Sequence, residues 1–377
     1  MRMLKTYLER RLKPVLYGTT TAALSVATLL GGSAEPAHAK TKDGKFLIYY
    51  SMSYLGNTWQ TEARNAIVSL AEMPEFADKV ELRVEASGAD AQRQIQQITS
   101  MIGAGADAII AYPISPSALN SVIKRACSRD IVVAVINGVG EPCAYTLKAD
   151  GEKLGKARTQ FVVDAIGGKG NVIEFLGVPG VSYNEDHHKG LVETLDEHPD
   201  VQVAAQLVGM WSAQETRAKM QEFLATHSWD EIDGIVAQMA CHTLAEMQVE
   251  DGYADNHPII PCAGEAENGA RVQMLPKDSG VEGALGATGL SVGSGLSGVP
   301  YALRIVVDLL EGKQHPKLIT YDPVRVTNEN VELCETGSAG EFAKGCNTID
   351  PGMVPSDYVI DFWTPETAEI GLPQVLN

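Results

Sequence analysis

The repeated alternation of short apolar runs with amphipathic segments constrains this chain most. Ile131–Ile136 is an almost continuous β-branched run, which is typical of a strand buried on both faces of a sheet. The segment Ala91–Ile102 instead places Ile95, Ile98 and Met101 on one face of a helix. Strands that alternate with helices in this way predict a parallel, doubly wound α/β sheet.

The alternation begins again after Asp150, whose carboxylate suits the start of a helix. Expected strands of the first half are Phe46–Ser51, Lys79–Glu85, Ala106–Tyr112 and Ile131–Ile136. Those of the second half are Asn171–Leu176, Val201–Leu207, Gly234–Gln238, Ile259–Ala263 and Gly283–Ala287. The sequence therefore predicts two similar halves with a seam near Ala149-Asp150.

The first 39 residues have a different character from the rest. Cations such as Arg2, Lys5 and Arg10 precede an apolar stretch, and Ala37-His38-Ala39 matches a cleavage site. This order indicates a signal peptide over residues 1–39 that is cleaved after Ala39. The alternative is a membrane anchor, for which the apolar stretch is too short.

Charge excludes one class of partner. The chain has 30 Lys and Arg against 48 Asp and Glu, a formal net charge of −18. Because phosphate contacts need clustered cations, no nucleic-acid partner is expected.

The six cysteines all follow the predicted signal peptide, and none forms a CxxC pair. Export favours disulfides, and proximity favours the sequential pairs Cys127–Cys143, Cys241–Cys262 and Cys334–Cys346. Free buried thiols are the alternative.

Two common catalytic motifs are lacking in the sequence. It contains no phosphate-binding GxxxxGK[ST] and no zinc-binding HExxH. Gly293–Gly298 spells GxGxxG, but it lies late in the chain and lacks the acidic residue that a dinucleotide site needs. We interpret it as a crossover between the halves, and we expect no catalytic residue, metal or cofactor.

Four groups of residues together resemble a known family. They are 91–98 with 105–110 and Pro113, 131–137, Asp150 with Leu154-Gly155, and 177–180 leading to Lys189-Gly190. Over about residues 44–330 the chain is similar to the type I periplasmic binding proteins of ABC transporters, especially the ribose/galactose-type sugar-binding branch.

This resemblance implies two doubly wound parallel-sheet lobes joined by a three-crossover hinge, with the ligand in the cleft between them. It predicts an N-terminal lobe of residues 44–149 plus 289–320 and a C-terminal lobe of residues 150–288 plus 321–377. The tail after Asn330 is expected to pack along the second lobe, and we assign it no role.

Ligands of parallel sheets sit beyond the carboxyl ends of the strands, so cleft residues should follow the strands. In the first half these are Asn57, Trp59, Tyr112 and Asn137, and in the second half His187, Trp211, Met239, Glu265 and Ser291. The two indoles can stack on the C–H faces of a sugar, and the polar groups can bond its hydroxyls. The alternatives are core positions for both tryptophans and an exposed helix position for His187.

The expected function is that of a monomeric periplasmic receptor that carries a small carbohydrate or polyol to an ABC permease. Asn137, His187 and Met239 depart from the residues common in the sugar-binding branch, so a modified or less hydroxylated ligand stays open. A sensory binding protein of the same fold is a second possibility. A transcription regulator needs a DNA-binding module where the signal peptide lies, and a glycosidase needs a second cleft carboxylate beside Glu265.

Overall fold

The structure is a computed structural model that describes residues 44–115, 117–138 and 140–376. The predicted signal peptide, residues 1–39, lies outside the described residues. Within the described ranges, no helix has the length and apolar character needed to cross a membrane.

Strands and helices alternate along most of the chain. The strands are β1 Phe46–Met52, β2 Val80–Ala86, β3 Ala108–Ala111, β4 Val132–Ile136, β5 Tyr145–Ala149, β6 Gly170–Leu176, β7 Val201–Val208, β8 Gly234–Ala237, β9 Cys262–Gly264, β10 Gly289–Val292, β11 Leu318–Tyr321, β12 Arg325–Thr327, β13 Leu333–Cys334 and β14 Thr348–Ile349. The helices are α1 Thr58–Glu72, α2 Pro74–Ala77, α3 Ala91–Gly103, α4 Asn120–Cys127, α5 Gly151–Ala165, α6 Ser182–Asp196, α7 Ala213–Leu224, α8 Cys241–Glu250, α9 Asn268–Met274, α10 Gly298–Leu310, α11 Ala339–Phe342 and α12 Leu372–Val375.

Two six-stranded sheets form the cores of two lobes. The first sheet has the order β11-β5-β4-β3-β1-β2, and all its strand pairs are parallel. The second has the order β12-β10-β9-β8-β6-β7, with β12 antiparallel to β10 at its edge. The predicted fold of two doubly wound α/β lobes is confirmed.

The chain passes between the lobes three times. It leaves the first sheet at Asp150, between β5 and α5, and returns through residues 293–297 between β10 and α10. It crosses again over residues 322–324, between β11 and β12. Asp150 begins α5 as predicted, because its carboxylate accepts a hydrogen bond from the Lys153 N–H.

The boundary predicted at residue 289 is wrong. Gly289–Val292 pairs with Cys262–Gly264 in the second sheet, so the chain returns to the first lobe only after Val292. The predicted strand over Gly283–Ala287 is an irregular loop, in which Gly283 and Gly286 have φ of 85° and 61°. Positive φ at two nearby residues breaks an extended strand, and the β10 ladder starts after them.

Residues 321–377 were predicted to pack along the second lobe. In the structure the tail packs on the first lobe as well. Phe362 and Leu372 are buried in one hydrophobic cluster with Ala63 of α1 and Leu303 of α10, both in the first lobe. The backbone of the same tail hydrogen-bonds to α9 of the second lobe. The tail therefore contacts both lobes.

The three predicted disulfides are confirmed. Their Cα–Cα distances are 6.2 Å for Cys127–Cys143, 5.7 Å for Cys241–Cys262 and 5.2 Å for Cys334–Cys346. The first ties α4 to the loop before β5, the second ties β9 to α8, and the third lies within the tail. Each closes a short loop and restricts the unfolded chain.

Candidate functional site

The carboxyl ends of both sheets surround one cavity with an empty volume of about 350 Å³. Its lining consists of Tyr54, Asn57, Trp59, Gln60 and Tyr112 from the first lobe, and Tyr183, Trp211, Met239, Glu265 and Ser294 from the second lobe and its crossover. Six of the nine predicted cleft residues lie together here.

Aromatic rings form the first-lobe wall. Asn57 begins α1, because its Oδ1 accepts a hydrogen bond from the Gln60 N–H at 3.0 Å, and its Nδ2 donates to the Tyr54 hydroxyl at 3.1 Å. This cap fixes Trp59 in the first turn, with its ring centroid 5.1 Å from that of Tyr112. Among the described residues the buried Trp59 Nε1 has no hydrogen-bond partner, so it is free to donate to a ligand.

Trp211 forms the opposite wall from a strained loop between β7 and α7. Its φ is 53°, in the left-handed region that non-glycine residues rarely adopt. The indole Nε1 donates to Gln238 Oε1 at 3.0 Å, and Gln238 Nε2 donates to Asn184 Oδ1 at 2.8 Å. Gly177 gives the ring its place, because a Cβ there would overlap the indole. The surrounding contacts therefore hold a strained residue at the cavity.

Glu265 is the buried acid of the cavity and directly follows β9. Its Oε1 accepts hydrogen bonds from the N–H of Ser294 at 2.6 Å and of Ala266 at 3.2 Å. Its Oε2 lies 3.6 Å from the Arg158 guanidinium. Burial raises the pKa of Glu265 to about 7, although Arg158 opposes the rise. The cavity thus holds an acid that ionises less readily than an exposed carboxyl group does.

His187 does not line the cavity, contrary to prediction, and it is not an exposed helix residue either. It is fully buried, with its Nε2 3.0 Å from Arg158 Nη1. Burial and the neighbouring guanidinium lower its pKa well below the usual range, so neutral Nε2 accepts a hydrogen bond from Arg158. Arg158 also donates to the carbonyls of Ala237 and Val292. His187 therefore supports the arginine behind Glu265.

Asn137 and Ser291 also lie outside the cavity lining. The Asn137 Oδ1 accepts hydrogen bonds from Ala149 N at 3.2 Å and from the Tyr321 hydroxyl at 3.4 Å. Ser291 Oγ donates to the Glu265 carbonyl at 3.1 Å and accepts from Arg271 Nε at 2.8 Å. Asn137 therefore binds the backbone just before the first crossover, and Ser291 binds the backbone of Glu265.

Four lining residues were not predicted from the sequence: Tyr54, Gln60, Tyr183 and Ser294. Tyr183 lies one helical turn before His187, so both share a face of α6. Tyr183, which is nearer the start of α6, is the one that reaches the cavity at the carboxyl ends of the strands. Placing the site at the helix N-terminus would have selected Tyr183.

Comparison with known proteins assigns the family. A profile of the family described as periplasmic binding protein domain matches residues 48–314. The chain belongs to this family, whose members bind solutes and are not enzymes.

Individual relatives agree with this assignment. The xylitol-binding protein of Mycolicibacterium smegmatis is 26% identical over 309 residues, covering 81% of this chain and 83% of the relative. A solved ABC transporter solute-binding protein of Thermobispora bispora has a TM-score of 0.64 and 26% identity, covering 76% of this chain and 87% of that one. A solved solute-binding protein of Bacillus halodurans with bound myo-inositol has a TM-score of 0.64 and 20% identity. The match covers 76% of this chain and 96% of that one.

Proposed function

We propose that this protein is a periplasmic receptor that binds a sugar or polyol in the inter-lobe cavity and delivers it to an ABC permease. The observation that carries the proposal is the pair of indoles, Trp59 and Trp211, on opposite lobes of one cavity that also holds Glu265. Aromatic faces accept the C–H groups of a carbohydrate, and the carboxylate accepts its hydroxyls.

The lining suits a neutral, hydroxylated ligand better than an ionic one. Its hydrogen-bonding groups include the Trp59 Nε1, the Asn57 and Gln60 amides and the tyrosine hydroxyls, whereas Glu265 is its sole carboxylic acid within the described residues. The related proteins that bind xylitol and myo-inositol support a polyol.

Export and closure complete the proposal. Residues 1–39 act as the signal peptide, and cleavage after Ala39 releases a monomer into the oxidising periplasm, where the three disulfides persist. Ligand held between the lobes stabilises the closed form, which the permease then recognises.

A thermal melting screen of the purified protein against sugars and polyols, including xylitol and myo-inositol, tests this function. A ligand at about 100 times its Kd should add about 2.7 kcal/mol to the free energy of unfolding and raise the melting temperature. Amino acids and dicarboxylates serve as controls and should leave melting unchanged. A rise with amino acids, or none with any polyhydroxylated compound, contradicts the proposal.

A further inference from the structure

The tail after Asn330 lies beyond the matched family region, which ends at residue 314, and it connects the two lobes. On the second lobe, the Asn268 side chain donates to the Ile349 carbonyl and accepts from the Ile349 N–H, both at 2.8 Å. On the first lobe, the Val359 N–H donates to Glu62 Oε2 of α1 at 2.9 Å. The tail is therefore fixed on both sides of the hinge.

Asp361 extends this connection to the second crossover. The Ile360 N–H donates to the Ala266 carbonyl at 3.0 Å, which places Asp361 beside residues 293–297. Its buried carboxylate accepts hydrogen bonds from Gly295 N at 3.0 Å and Leu296 N at 3.3 Å. The tail thus supplies a carboxylate that binds the backbone of the crossover.

Glu265 binds the neighbouring N–H of the same crossover, that of Ser294. Gly293 lies between the two carboxylates, because a Cβ at this position would overlap both Asp361 Oδ2 and Glu265 Oε1. The crossover therefore runs between the cavity acid and the tail acid, with consecutive N–H groups shared between them.

We propose that Asp361 is a positioning residue of the ligand site, which holds the crossover against Glu265 and so fixes the direction of that carboxylate toward the ligand. This inference rests on the proposed function. It makes the tail a component of the binding site and not only a cover on the lobes.

The charges around Glu265 give the proposal a distinct signature. Five titratable groups interact electrostatically with Glu265. They are Arg158 of α5, Arg271 of α9, Asp361 of the tail, Tyr112 after β3 and Tyr183 of α6. Repulsion from Asp361 adds to burial in raising the pKa of Glu265. Removing the Asp361 charge should lower that pKa, an effect that a general loss of stability does not produce.

Asp361→Asn tests the proposal, with Glu366→Gln as the matched control, because Glu366 is an exposed tail carboxylate. The titration of the Glu265 carboxyl is followed by ¹³C NMR from about pH 5 to about pH 9. Xylitol affinity is measured over the same range by calorimetry. Asp361→Ser replaces Asp361→Asn if the amide variant does not fold.

We expect Asp361→Asn to move the Glu265 midpoint to lower pH and to weaken xylitol binding by about tenfold at neutral pH. Glu366→Gln should match the wild type in both. An unchanged midpoint, or a shifted midpoint with unchanged affinity, overturns this proposal alone. Absence of any sugar or polyol binding by the wild-type protein overturns the proposed function, and this inference with it.

Discussion

At the scale of residues, the proposed binding cavity has aromatic faces that come from different lobes. Trp59 is set by the Asn57 cap at the start of α1, and Trp211 by its bond to Gln238. In the proposed complex the two rings cover the ligand from two sides, so each should contribute to affinity.

Trp59→Ala and Trp211→Ala should each weaken ligand binding by about tenfold or more, because each removes one stacking face. Calorimetric titration with the best ligand of the melting screen measures this loss. Trp363→Ala is the control, since Trp363 packs on Phe342 in the tail and does not line the cavity. Normal binding by both cavity variants would refute the assignment of these walls.

Gly177→Ala should weaken ligand binding, although Gly177 itself does not line the cavity. A Cβ at Gly177 overlaps the Trp211 indole, so the ring must move away from its place in the wall. Gly103→Ala is the control, because a Cβ there meets nothing within 4 Å. The same titration compares the two variants, and equal affinities would show that the position of the indole is unimportant.

The sequence could identify residues in the segments that follow strands, because parallel strands direct their carboxyl ends to one edge. Trp59, Tyr112 and Glu265 were predicted on this basis and lie in the cavity. The method failed for His187, since the rotation of α6 decides which of its residues reaches the edge. It could not find Asp361, which reaches the site from a tail distant in sequence.

At the scale of elements, the contact between the tail and α1 buries an acid. Glu62 of α1 accepts a hydrogen bond from the tail at Val359 N, and burial raises its pKa to about 9. The folded protein keeps this proton up to a higher pH than the unfolded chain does. Stability should therefore fall as pH rises from about 4.5 toward 9.

Glu62→Gln should reduce this pH dependence, because the amide can accept the same hydrogen bond without ionising. We expect melting temperatures like those of the wild type near pH 5, and higher ones near pH 9. Glu265 and Glu267, whose pKa values burial raises to about 7, retain part of the slope. Glu72→Gln, an exposed position on the same helix, should leave the wild-type curve unchanged. Identical curves for Glu62→Gln and the wild type would contradict the argument.

Element prediction succeeded where one pattern was strong. The β-branched run predicted as a strand at Ile131–Ile136 corresponds to the buried strand β4. A continuous apolar run is typical of a strand that is buried on both faces. It failed at β10, which has only four residues, Gly289–Val292, beside a glycine-rich loop. Short strands in a sheet are set by their neighbours, here β9 and β12, and these are not visible in a local window.

At the scale of the whole molecule, two lobes connected by three crossovers leave a cleft that a ligand can close. Hinge closure requires the crossovers to flex while each sheet stays rigid. The tail adds a fourth connection, through Asn268 on one lobe and Glu62 on the other. The tail thus contacts both lobes, and its Asp361 carboxylate binds the backbone of the second crossover.

The central claim is that a small polyhydroxylated solute is held between Trp59 and Trp211. Its most direct test is a crystal structure of the protein grown with the compound that raises the melting temperature most. We predict ligand density between the two indoles, with a hydroxyl within hydrogen-bonding distance of Glu265. Density for the ligand at any other place, or a cleft filled by protein side chains in the bound state, would contradict the account.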